Sequence, residues 1–190
     1  EETYRHYPLY SDMSQLTGFV GNEGESLVGQ YGIEGYHEDV LGGNTGYIKY
    51  AKDAIDNILH IFRKSEEKPL NGDSIVLTID RVIQFRACAS LNSYIEKTGS
   101  VGGSVLVLEV ETGKVRAMCS FPTYDANNFY ETENTQAFNN PAIFKSYEPG
   151  SVFKPLTMAA AINEKKVDPT TTYVDEGELK YGKFVIKNSD

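Results

Sequence analysis

The run GGSVLVLEVETGKVRAMCSF, residues 102–121, constrains the fold more than any other stretch of this chain. Two strand-like segments, SVLVLEV and KVRAMCS, flank the turn residues Glu-Thr-Gly, so they pair as an antiparallel hairpin. The first is apolar at too many consecutive positions to face water on both sides. It must be covered, and the segment before it offers a cover. In SIVLTID, Ile75, Leu77 and Ile79 alternate as a strand does. Asp80 is placed to cap a following helix over roughly Arg81 to Lys97, which Gly99 ends.

Upstream, Ile48, Ala51, Ile55, Ile58, Leu59 and Phe62 recur at helical spacing, with acids early and bases late, and predict an amphipathic helix from Ile48 to Arg63. Residues 1–45 are rich in glycine and tyrosine and poor in periodic apolar positions, which reads as loops, turns and short strands leaning on another part of the molecule. The stretch SEEKPLNGD breaks the pattern with charge, Pro69 and Asn-Gly, and places a boundary between domains 1–70 and 71–190. After the hairpin, a polar loop leads to Pro149-Gly150. The run VFKPLTMAAAIN behind Ser151 predicts a helix with Pro155 in its first turn, where a missing N–H costs nothing, closed by EKKVDP.

Charge and composition exclude several classes. A net charge of -9 argues against a phosphate-backbone binder, so no nucleic-acid partner is expected. Apolar runs fall far short of the roughly 20 residues that span a bilayer. The start at Glu1, with no leader-like stretch, is the one expected after removal of an anchor or leader. His6, His37 and His60 are scattered and the cysteines have no metal-ligand spacing, so neither metal nor cofactor is expected. Cys88 and Cys119 fall in segments that read as buried helix and strand, and are expected as two inert thiols rather than a disulfide. Glu34, Glu38 and Asp39 could pair as acid and base, but a solvated turn beside glycines is the preferred reading.

The tetrapeptide Ser151 to Lys154 is a candidate nucleophile with its base. Residues i and i+3 on one helical turn face the same way, which brings an ammonium within reach of a hydroxyl. A serine at a helix start has unpaired backbone N–H groups and the positive dipole end nearby, which suits an oxyanion in acyl transfer. The apolar helix behind would desolvate Lys154 enough to make it a useful base. On the residues alone, a capping serine with an incidental lysine is the simpler reading. A second S-x-x-K, Ser65 to Lys68, lies in a charged linker and reads as solvated surface.

The surroundings decide between these readings. YEPGSVFKP, Tyr147 to Pro155, resembles the active-site motif of class B penicillin-binding proteins, a class for which S-x-x-K is a signature. GDSIVLTID followed by Gln84, the block GGSVLVLEVETGKVRAMCSFPTYDANNF, and NNPAIF resemble, in order, the segments that precede the nucleophile there. RHYP, LTGFVG and GQYGIEGYHEDVLGG resemble the pedestal, or dimerisation-type, module of the same proteins. The resemblance implies an α+β fold, an antiparallel sheet flanked by helices, preceded by a loop- and strand-rich pedestal segment over 1–70. It implies a D,D-transpeptidase at the extracytoplasmic face of the bacterial cytoplasmic membrane, with Ser151 as nucleophile and Lys154 as base. Implied partners are peptidoglycan stem peptides, β-lactams, a membrane-embedded glycan polymerase and other cell-wall complex proteins.

The family pattern also requires S-x-N and K-[ST]-G after the nucleophile. Both strings occur here, as Ser90-Leu91-Asn92 and Lys97-Thr98-Gly99, but upstream and within one predicted helix and its end, where they cannot form opposite walls of a cleft. Neither string follows Ser151, so the chain is expected to be a truncated part of its parent, inactive alone and with apolar faces such as SVLVLEV uncovered. Two alternatives stay open: a class D β-lactamase-like hydrolase or sensor, which the pedestal-like residues disfavour, and a non-catalytic interaction module for cell-wall synthesis partners.

Overall fold

The computed structural model describes residues 5–24, 26–44, 46–52 and 58–188 of an α+β chain. It divides into two units, Glu1–Lys145 and Ser146–Asp190.

The first unit opens with a 3-10 turn, Tyr10–Asp12, and a short helix α1 (Ser14–Thr17). Gly18 stops α1 at φ 74, and a Cβ there would run into the Tyr31 carbonyl, so this position is held by glycine on both counts. Strands β1 (Phe19–Glu23) and β2 (Ser26–Gln30) form an antiparallel hairpin with Phe19 opposite Gln30. Helices α2 (Gly32–Tyr36) and α3 (Glu38–Leu41) follow. The Glu38 carboxylate accepts the Gly29 backbone N–H at 2.7 Å, which ties α3 to β2.

The helix expected from Ile48 to Arg63 does not form. In its place β3 (Tyr47–Lys52) pairs antiparallel with β4 (Ile58–Glu67), with register shifts around Tyr50; residues 53–57 of that expectation lie outside the described residues. Isoleucines and aromatic residues fill this segment, and β-branched and aromatic side chains suit a pleated surface as well as a helix face. The spacing that looks helical is therefore equally available to two bulged strands.

Helix α4 (Arg81–Thr98) runs as its caps dictate. The Asp80 carboxylate accepts the N–H groups of Val82 and Ile83 at 2.9 and 3.0 Å, and Gly99 closes the helix in the left-handed conformation. Ser90, Leu91, Asn92, Lys97 and Thr98 all lie on this one helix. The strand expected over SIVLTID is not realised. One backbone bond, from Asp80 N–H to the Arg116 carbonyl, joins this segment to the neighbouring strand, and a single bond is no ladder; Val76 is 93% exposed.

Strands β5 (Gly103–Leu108) and β6 (Val115–Phe121) form the expected hairpin. Helix α4 covers one face: Gln84, Cys88 and Ile95, on one side of the helix, are buried, as are Ala117 and Cys119 of β6. On the opposite face Leu106 and Leu108 stay about half exposed, the uncovered apolar surface expected of this strand. The two cysteines, expected as separate thiols, are joined as a disulfide, Cα to Cα 5.5 Å. Packing α4 on β6 brings the two Cβ atoms together, a tertiary consequence that neither local segment encodes.

Beyond β6 come 3-10 turns at Ala126–Glu131 and Thr135–Phe138, and α5 (Pro141–Phe144), capped by the Asn140 side chain. These turns share a core with the N-terminal segment. Phe19, Tyr124, Ala126 and Phe138 are buried together, with Phe129 stacked on Phe19 at 3.9 Å and Phe138 edge-on at 5.0 Å. Polar bonds fasten the same contact: Gln15 Nε2 donates to the carbonyls of Pro122 and Ala137, each at 2.8 Å, and the Tyr124 hydroxyl donates to the Ser14 carbonyl. Desolvation within this core holds the Tyr124 phenol well above the usual tyrosine range.

The second unit holds a 3-10 turn at Gly150–Phe153, α6 (Lys154–Asn163), and a hairpin of β7 (Glu178–Tyr181) and β8 (Phe184–Lys187). None of its described residues is buried.

Candidate active site

The backbone around Ser151 is set by its two predecessors. Pro149 is locked in the helical region, and Gly150 then takes φ 55, where any other residue would be strained although nothing lies within 4 Å of a Cβ built there. The 3-10 turn begins at Gly150, with Ser151 as its second residue. Lys154 closes the turn: its backbone N–H donates to the Ser151 carbonyl, and it is the first residue of α6.

That bond places the two candidate residues one 3-10 turn apart. With three residues per turn, side chains at i and i+3 eclipse, so Ser151 and Lys154 project to the same side of the backbone. The N-cap positions of the 3-10 turn and of α6 are held by Pro149 and Phe153, so Ser151 sits at neither. The hydroxyl is thus not engaged in the structural role that a serine at a helix start most often fills. Pro155 lies in the first turn of α6, where its missing N–H has no partner to lose.

One expectation needs correction. Lys154 is exposed, as are Leu156 and Met158 on the helix behind it, at 62% and 53%. Within the second unit these apolar side chains of α6 lie exposed, so this helix does not supply the desolvating surroundings expected for Lys154. No hydrogen bond or ion pair joins the side chains of Ser151 and Lys154; what the structure brings together is their backbone positions.

The other sequence candidates fall within the first unit. Ser90-Leu91-Asn92 and Lys97-Thr98-Gly99 lie on α4 and its terminus, on the first unit. Glu34 is a largely buried structural carboxylate rather than a solvated one. Burial raises its pKa, with Glu38 adding and Arg5, 3.5 Å away, opposing. Burial also pushes Tyr7 up to about 12, with Glu34 beside it acting in the same direction. Among the described residues no cluster of three or more His, Cys, Asp or Glu side chains could hold a metal ion, and no helix is long and apolar enough to cross a membrane.

Asn140 escaped the sequence reading. Its side-chain oxygen accepts bonds from Ser120 Oγ at 2.8 Å and the Ala142 N–H at 3.0 Å, and so anchors the start of α5 to β6. The sequence signal was present: Asn before Pro141, the pairing of an N-cap with a proline at the first helical position.

Residues 1–77 match the penicillin-binding protein dimerisation domain, and residues 103–190 match the penicillin binding protein transpeptidase domain. A probable peptidoglycan D,D-transpeptidase, PenA, of Neisseria gonorrhoeae is 34% identical over 169 residues, which cover 88% of this chain and 28% of that protein. Stage V sporulation protein D of Bacillus subtilis is 30% identical over 168 residues, 88% of this chain and 26% of the relative. The crystal structure of penicillin binding protein 2X from Streptococcus thermophilus superposes with a TM-score of 0.74 at 26% identity, over 96% of this chain and 28% of that one. The chain belongs to the class B penicillin-binding proteins. It spans little more than a quarter of the length of these relatives.

Proposed function

We propose that this chain carries the nucleophile and base of a D,D-transpeptidase that cross-links peptidoglycan. Ser151 Oγ attacks the carbonyl of the penultimate D-Ala of a stem peptide while its proton passes to Lys154 acting as base. The amide bond to the terminal D-Ala breaks, and that D-Ala leaves with a proton. An amine on a neighbouring strand then attacks the acyl-enzyme, forms the cross-link and restores the serine. Penicillins acylate the same oxygen. The observation that carries this reading is the 3-10 turn that opens at Gly150 and sets Ser151 and Lys154 three residues apart on one side of the backbone.

In this reading residues 1–70 are a pedestal module and 71–190 the start of the transpeptidase domain. The groups that hold substrate opposite Ser151, and the apolar cover that Lys154 lacks here, come from the part of the relatives' length that this chain does not span. The parent works outside the cytoplasmic membrane, beside a glycan polymerase and other cell-wall proteins. Release of D-Ala from a pentapeptide substrate by the full-length parent tests the assignment. Ser151→Ala abolishes release and Lys154→Met lowers it at least about 100-fold, the lower range for loss of a general base. Release that survives Ser151→Ala contradicts the proposal.

A further inference from the structure

Cys88 and Cys119 lie at the point where three parts of the first unit meet. Cys88 is on the buried face of α4, Cys119 on the face of β6 that α4 covers, and the turn at Tyr10–Asp12 lies over both. The sulfur of Cys88 is 3.6 Å from the Asp12 carbonyl oxygen, and that of Cys119 is 3.2 Å from Gln84 Nε2. Gln84 Nε2 also donates to the same Asp12 carbonyl at 2.6 Å, so a single carbonyl of the N-terminal segment sits over the disulfide and its neighbour.

The bond is enclosed: the two residues are 5% and 6% exposed. The gap beside it, lined by Ser11, Asp12, Gln15, Cys88, Met118 and Cys119, measures about 10 Å³, room for about one water. Thiol–disulfide exchange requires a sulfur to approach another sulfur, and no thiol enters so small a gap. Exchange at this bond is therefore strongly hindered while the N-terminal segment is in place.

We infer that Cys88–Cys119 is installed during folding by a disulfide-bearing oxidant, before the segment around Asp12 closes over α4 and β6, and that the bond then holds the surface on which that segment docks. In the reaction one cysteine thiolate attacks a sulfur of the oxidant and expels one of its thiolates, giving a mixed disulfide. The second cysteine thiolate attacks the protein sulfur of that mixed disulfide and expels the other. Two cysteine thiols are oxidised and the oxidant leaves as two thiols. The loop closed has a sequence separation of 31, long enough for the cross-link to restrict the unfolded chain substantially. This inference is independent of what Ser151 does, and counting thiols tests it without reference to catalysis.

The test refolds the full chain from its fully reduced, denatured state with either a mixture of reduced and oxidised glutathione or excess dithiothreitol. Each product is then denatured, alkylated and weighed intact. The oxidised product takes no alkyl group and is two hydrogens lighter than the reduced chain, and it melts roughly 10 °C higher than the product folded in dithiothreitol. Once folded, the oxidised chain keeps its bond in dithiothreitol and loses it when urea is added. The Cys88→Ala, Cys119→Ala double variant melts with the reduced product and ignores the reductant. Two alkyl groups on the chain refolded with glutathione overturn the inference. So does reduction in native buffer as fast as in urea, which shows that the N-terminal segment does not cover the bond.

Discussion

The side-chain amide of Gln84 holds the backbone of Met118 on both its polar groups: Nε2 donates to the Met118 carbonyl at 2.9 Å, and Oε1 accepts the Met118 N–H at 2.8 Å. A residue of α4 thus completes the hydrogen bonding of β6 as a neighbouring strand would. At 1% exposure, no water could replace it. Gln84→Leu keeps the volume and leaves the Met118 N–H, the Met118 carbonyl and the Asp12 carbonyl without the partner Gln84 supplied, at about 1 kcal/mol or more each. The expected result in thermal unfolding is a fall of roughly 5–15 °C. A variant that melts with the parent shows that the amide contributes nothing beyond its bulk.

Phe138 is 8% exposed and meets Phe19 and Tyr124 edge-on at 5.0 and 4.8 Å. Phe138→Ala removes the ring that links the N-terminal segment to the turns after β6, and is expected to cost about 3–5 kcal/mol in denaturant unfolding. If the cost is below about 1 kcal/mol, the site collapses around the smaller residue and the aromatic cluster is not the core of this unit.

Asp80→Ala removes the acceptor for the Val82 and Ile83 N–H groups. A loss of about 1 kcal/mol is expected, with Asp80→Asn restoring most of it because an amide oxygen also caps. Equal losses in both variants would assign the effect to charge near the helix N-terminus rather than to the cap.

Burial raises the pKa of Asp12, and among the described residues its carboxylate has no hydrogen bond or ion pair that would offset this. A carboxyl whose folded-state pKa lies above its unfolded value lowers stability when ionised. That cost is fully present above the folded pKa, and it disappears as the pH falls through it to the unfolded value. Asp12→Asn is therefore more stable than the parent at pH 7, and the difference narrows as pH falls toward the ordinary carboxylate range. Urea unfolding of both proteins across that window measures the difference, and a gap that widens on acidification has the wrong sign.

The parts of the fold that were legible in the sequence are the local ones. Asp80 and Gly99 bracket α4, Gly113 turns the β5–β6 hairpin at φ 70, and Pro155 lies in the first turn of α6, each through a bond or a dihedral within a few residues. The reading of the candidate site as nucleophile and base came from the resemblance of the surrounding segments rather than from the spacing, but as a pattern the site was legible because Gly150, Ser151 and Lys154 occupy one turn. Non-local choices were not. Residues 47–67 fit a helix face or two strands, and pairing with a partner strand settled the matter. SIVLTID alternates like a strand, yet among the described residues one backbone–backbone bond, Asp80 to Arg116, and two side-chain bonds through Thr78 join it to β6 instead of a ladder. Cys88 and Cys119 become a pair only when α4 lies on β6, and Phe19 meets Phe138 only when the N-terminal segment returns to the turns after the hairpin.

The central claim is that Ser151 is the acylated nucleophile. Intact-mass measurement of the full-length parent after incubation with a penicillin, followed by peptide mapping, tests it most directly. The account predicts one penicilloyl adduct on the peptide that contains Ser151, absent from Ser151→Ala. A folded parent that acquires no adduct, or carries it on another residue, contradicts it.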